Sequence, residues 1–112
     1  SKKFYDAILG ALGYDEGKID PKGRCFYFTK TGILGLSVPI DGEPACHGNG
    51  STLGFAVETT ELGDAWHAAG LANGGVACED PPGVRDGGAM KLYLAYLRDP
   101  AGNKICAMKR MS

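Results

Sequence analysis

The sequence has almost no net charge: 12 Lys and Arg stand against 13 Asp and Glu in 112 residues, leaving −1. Its basic residues are scattered and form no stripe, so it lacks the electrostatic footprint of a nucleic-acid binder. No apolar run approaches the ~18 residues that a membrane span requires, so no membrane partner is expected. No signal-peptide pattern is present. There is no C-x-x-C pair, because Cys25, Cys46, Cys78 and Cys106 lie far apart. Reduced thiols in a cytoplasmic protein are therefore the expectation, with a disulfide pair left open. No G-x-G-x-x-G joins a strand to a helix, which removes the dinucleotide-binding reading. The 18 glycines follow no Gly-X-Y period, which excludes collagen. An apolar share of 44% and a charged share of 22% describe a folded chain rather than a disordered one.

What is present is a repeat. In residues 3–12, Phe4, Tyr5, Ile8, Leu9 and Leu12 fall on one helical face, and Gly13 ends the helix. Residues 61–72 repeat the pattern with Leu62, Ala65, Trp66 and Ala69, capped by Thr59 or Thr60 and stopped by Gly74 and Gly75. A fixed offset pairs Phe4 with Trp66, Tyr5 with His67, Leu9 with Leu71, and Gly13 with Gly75. Strand-like runs follow each helix: 24–29 and 33–40 after the first, then 76–79, 91–98 and 104–109 after the second. Residues 14–19 are a weaker strand signal. Asp99-Pro100-Ala101-Gly102 reads as a hairpin turn. A strand over 51–58 precedes the second helix, and the repeat predicts a matching strand ahead of Ser1. The fold class is thus α+β, one domain of two β-α-β-β-β modules. The first covers 1–48 without its opening strand, and the second covers 49–112.

The runs FYDAILGALGY, GNGSTLGFAV, WHAAGLANGG and RDPAGNKI, in that order, resemble the glyoxalase / bleomycin-resistance / extradiol-dioxygenase superfamily, the vicinal oxygen chelate proteins. The resemblance covers nearly the whole chain. It implies a curled mixed sheet around a cleft, and in the enzymes a divalent metal held there by His and Glu or Gln side chains. Such a metal stabilises charge developing on substrate oxygens. Non-enzymatic members bind a drug instead.

Carried over residue by residue, two ligand positions differ. Relatives place His where this chain has Thr52, and Glu where it has Cys106. A neutral hydroxyl is a poor ligand for a divalent ion, and a thiolate favours a soft or borderline one. Lys104, on the same strand face as Cys106, disfavours a cation and favours an anionic ligand or a lowered thiol pKa. The usual metal site is therefore expected to be lost and no cofactor is expected, with divalent zinc, iron, manganese or nickel as the alternative. Strand alternation assigns Thr52, Gly54 and Ala56 to the cleft, with Tyr93, Ala95 and Leu97, and with Lys104, Cys106 and Met108. Leu94 and Tyr96 are expected under a helix, and Ile105 and Ala107 behind the cleft.

His47, in a glycine-flanked loop, is a further cleft candidate as base or ligand. Arg85, in an expected flexible loop over 80–88, is a candidate for contacting an acidic ligand. His67 reads as a helix-packing residue, and Cys25 and Cys78 as structural. The resulting expectation is a small-molecule binder, a homodimer by family habit and by its exposed sheet edges. The alternatives are a metal-dependent lyase or dioxygenase acting on a vicinal-oxygen substrate, and a structural or interaction domain whose cleft has decayed.

Overall fold

The computed structural model of the chain describes residues 1–111. Helix α1 (Lys2–Ala11) buries the periodic face Phe4, Tyr5, Ile8 and Leu9. Strands β1 (Lys18–Ile19), β2 (Cys25–Phe28) and β3 (Ile33–Leu36) then form an antiparallel sheet in that order. Cys25 and Tyr27 point toward α1, where the Tyr27 hydroxyl donates to Asp6 Oδ1 at 2.7 Å. Phe26 and Phe28 point to the opposite, uncovered face.

The second sheet opens with β4 (Leu53–Ala56), followed by α2 (Thr60–Ala72). Thr59 caps α2, its hydroxyl accepting the Leu62 N–H at 3.1 Å. Strands β5 (Val76–Ala77), β6 (Gly83–Asp86), β7 (Lys91–Arg98) and β8 (Lys104–Arg110) complete it. The order is β4-β8-β7-β5, with β6 also on β7. β4 runs parallel to β8, and the other pairs are antiparallel. The segment 80–88, expected as a loop, thus contains a strand. Its Val84 and Arg85 pair with Tyr93 and Leu92, so the ladder overrides the Pro- and Gly-rich composition around it.

One core serves both halves. Phe4, Ile8 and Leu9 of α1 join Trp66 of α2 and Tyr93, Leu97 and Ile105 of the sheet. The helices pack on each other, and α2 lies on β7 and β8. A Cβ built at Gly63 would overlap the Tyr93 ring, and one at Gly70 would overlap Leu97. The two glycines let the large strand residues reach the helix backbone. The opening strand expected ahead of Ser1 lies outside the described residues.

Candidate functional site

Side chains alternate along a strand, so covering one face of the second sheet with α2 leaves the other face open. Tyr93, Ala95 and Leu97 are on the covered face, each at most 2% exposed. Ile105 and Ala107 pair with Leu97 and Ala95 across the ladder and share that face. The open face carries the alternate set. One row across the sheet is Gly54, Cys106 and Tyr96, and the next outward is Ala56, Met108 and Leu94. At the other end Lys104 pairs with Arg98, and Thr52 directly precedes β4.

This geometry inverts one strand of the sequence reading. Tyr93 is not on the open face; its hydroxyl donates to Asp64 Oδ1 of α2 at 2.7 Å, under the helix. Burial and that hydrogen bond both push the phenol pKa up. Tyr96 and Leu94, expected under the helix, are on the open face instead. The assignments of Gly54, Cys106, Lys104 and Met108 agree with the ladder.

At the centre of the row, Cys106 Sγ lies 3.5 Å from where a Cβ on Gly54 would stand, an ordinary contact distance. The thiol is 6% exposed. Burial pushes its pKa up, Lys104 pulls it down to a lesser degree, and Glu79 adds to the rise. The lowering expected from Lys104 is present but outweighed by burial. Lys104 is itself engaged. Its ammonium pairs with Glu79 and stands 4.8 Å from the centre of the Tyr96 ring. The pairing raises the Lys104 pKa, chiefly through the hydrogen bond to Glu79. Glu79 reaches Lys104 from a left-handed backbone conformation, φ 58°, which a non-glycine residue adopts only at a cost.

Beside Lys104 lies a cavity of about 250 Å³, lined by residues 48–52, Arg98 and Lys104. The loop is pinned to the β7–β8 turn by the Gly48 N–H, which donates to Asn103 Oδ1 at 2.8 Å. Thr52 lines this cavity. His47 does not; it rests against Gly102 of the turn, where a Cβ on that glycine would lie 3.3 Å from the His47 Cβ. Arg85 is also absent from it. Its guanidinium donates to the carbonyls of Asp80, Pro81, Gly83 and Leu94 at 2.9–3.2 Å, which tie it to its own segment and to β7. The residues missed by the sequence reading are Arg98, Tyr96 and Glu79.

The donor set does not fit the metal that the family resemblance implies. Thr52 offers a neutral hydroxyl, Cys106 a buried thiol, and Lys104 a positive charge in the same region. Among the described residues no three His, Cys, Asp or Glu side chains gather into a metal-binding group. Nor does any helix among them have the length and apolarity to cross a membrane. A cavity of about 720 Å³ lies beside the first sheet around Cys25, Leu36 and Val38, and is lined by none of the residues expected to form the site.

The chain is similar to a glyoxalase/bleomycin resistance protein from Albidiferax ferrireducens T118. Identity is 62%, over 96% of this chain and 86% of that one, with a TM-score of 0.90. A glyoxalase/bleomycin resistance protein/dioxygenase family enzyme from Burkholderia phytofirmans PsJN shares the fold at 19% identity, with 96% and 86% of the two chains covered and a TM-score of 0.69. So does a glyoxalase-related enzyme from Fulvimarina pelagi, at 16% identity, 96% and 76% coverage, and a TM-score of 0.67. No protein-family model matches the chain, and no curated protein matches it.

Proposed function

The chain belongs to the glyoxalase/bleomycin resistance family, and from that premise we propose that it binds a small organic molecule on the open face of its second sheet without a metal ion. The carrying observation is the Cys106 row. Where the family resemblance puts a metal-ligating carboxylate, this chain has a buried thiol, with the Lys104 ammonium on the same strand face. Among the described residues no further His, Cys, Asp or Glu side chains gather with it into a metal-binding group. The surface around it is apolar, with Tyr96, Leu94 and Met108, and has polar groups at one end. That is the usual make-up of a small-molecule site.

A cytoplasmic location belongs to the same proposal, supported by four unpaired cysteines among the described residues. So does a homodimer, supported by the open outer edges of β3 and β4 and by the exposed Phe28 and Ile33.

The test is elemental analysis of the purified protein, followed by melting curves with a panel of aromatic acids. The expected result is far less than one equivalent of zinc, iron, manganese or nickel, no effect of EDTA on Tm, and a higher Tm with at least one acid. Its binding is expected to shift the Met108 methyl resonance. One equivalent of tightly held metal, lost in Cys106→Ala, overturns the proposal.

A further inference from the structure

We infer that the cavity between loop 48–52 and the Arg98–Lys104 pair is an anion subsite, which takes the carboxylate or phosphate head of the ligand whose body lies on Tyr96. The inference rests on the binder reading and assigns the chemical class of its ligand. Two cationic side chains line the cavity and no acidic one does. The Arg98 guanidinium donates to the Gly102 carbonyl at 2.8 Å, which orients it and leaves the rest of its N–H fork free. Among the described residues it has no carboxylate within ion-pair distance, so its charge is uncompensated there. A planar fork of this kind matches a carboxylate or phosphate in two-pronged fashion.

The loop supplies the other wall. Gly48 is fixed by Asn103, and Gly50 turns the chain at φ 99°. Ser51 and Thr52 then line the cavity, with the Ser51 hydroxyl donating to the Gly48 carbonyl at 3.4 Å. The Thr52 hydroxyl has no hydrogen-bond partner among the described residues. Successive N–H groups at a turn of this kind form a concave wall that favours anions.

Lys104 is shared between two partners. In the unliganded chain its ammonium is held by Glu79, a carboxylate delivered by a strained backbone. A ligand anion offers Lys104 the same chemistry from the cavity side, so it replaces Glu79 there. Glu79 is thus an internal competitor, and the subsite predicts an effect of opposite sign for the two charge-removing variants.

The experiment titrates the isotope-labelled protein with inorganic phosphate and, separately, with acetate, at constant ionic strength set by chloride. The expected result is saturable movement of the 49–52 amides and the Arg98 side-chain resonance with at least one of the two. Saturation by acetate alone identifies a carboxylate head, and saturation by phosphate alone a phosphate head. Arg98→Gln weakens binding by at least about tenfold, the effect of losing a charge-assisted hydrogen bond. Glu79→Gln tightens it severalfold. Movement that never saturates, or an unchanged affinity in Arg98→Gln, overturns the subsite. If a neutral aromatic such as phenol shifts the Met108 methyl equally in the parent and in Arg98→Gln while neither anion saturates, the subsite fails and the binder reading survives. If an anion saturates at 49–52 but no compound reaches Met108, the binder reading fails and the subsite stands.

Discussion

Burial disfavours the charged form of two side chains on opposite sides of the same sheet, the Cys106 thiol on the open face and His67 of α2 on the covered one. His67 is 9% exposed, with Nε2 3.1 Å from the Tyr96 carbonyl oxygen. Burial lowers its pKa, opposed in part by that hydrogen bond and by the charge of Asp64. The unfolded chain takes up a proton near the ordinary histidine value of 6.5, whereas the folded chain takes it up only at lower pH. Between those two values the unfolded state binds more protons, so stability rises with pH there. The contribution of His67 is therefore full above about pH 7 and is lost as pH falls through the folded pKa. Urea midpoints measured between pH 5 and 8 are expected to decline on the acid side, and His67→Gln is expected to flatten that decline. An equally steep decline in the variant rejects the assignment.

The elements were largely legible in the sequence; the orientation of one of them was not. The helical periodicity, the Thr59 cap and the DPAG turn name α1, α2 and the β7–β8 hairpin almost to the residue. The face assignment of β7 failed because KLYLAYLR is apolar on both sides, so alternation alone cannot say which side meets the helix. The helix held the missing signal. Gly63 and Gly70 are seven residues apart, about 10 Å along α2. Tyr93 and Leu97 are four apart, about 13 Å along β7. Gaps on the helix thus match large residues on the strand. Arg98 and Tyr96 were missed for the same reason, since their relevance depends on which face is open, and Glu79 because it reaches Lys104 from a left-handed backbone conformation between β5 and β6.

The same glycines yield a paired prediction. Gly63→Ala gains helix propensity, about 1 kcal/mol, but its methyl meets the rigid Tyr93 ring, and overpacking costs about 1–3 kcal/mol. The net is a loss of stability. Gly10 of α1 is exposed, and a Cβ there meets nothing within 4 Å, so Gly10→Ala is expected to gain up to about 1 kcal/mol. Chemical denaturation of both variants checks the opposite signs. A stabilised Gly63→Ala rejects the packing argument for the β7 face.

At the scale of the whole molecule, no strand ladder among the described residues joins the two sheets. Besides the shared core, two side-chain contacts between the halves differ in worth. Lys30 and Glu58 form an ion pair, but the side chains are 69% and 70% exposed, and such pairs add little. The buried contact is different. The Tyr5 hydroxyl of α1 donates to Asp99 Oδ2, at 2.5 Å, in the β7–β8 turn, and both residues are at most 5% exposed. Burial and this hydrogen bond push the phenol pKa far up, so it remains a donor at any ordinary pH. Asp99 also accepts the N–H groups of Ala101 and Asn103, which form the turn. The bond therefore ties the first module to the turn that holds loop 48–52. Phe4 and Ile8 also pack beside Gly70, so the halves are expected to unfold as one cooperative unit. Trp66 is the single tryptophan and belongs to the second half, so its fluorescence reports that half, while circular dichroism reports both. The two unfolding transitions are expected to coincide. Tyr5→Phe is expected to cost about 1.5–3 kcal/mol, the value of a buried hydrogen bond to a carboxylate, and to shift both transitions together. Lys30→Ala is expected to leave the midpoint where it is. A Trp66 transition that stays in place while the dichroism transition moves in Tyr5→Phe would mean that the halves unfold separately.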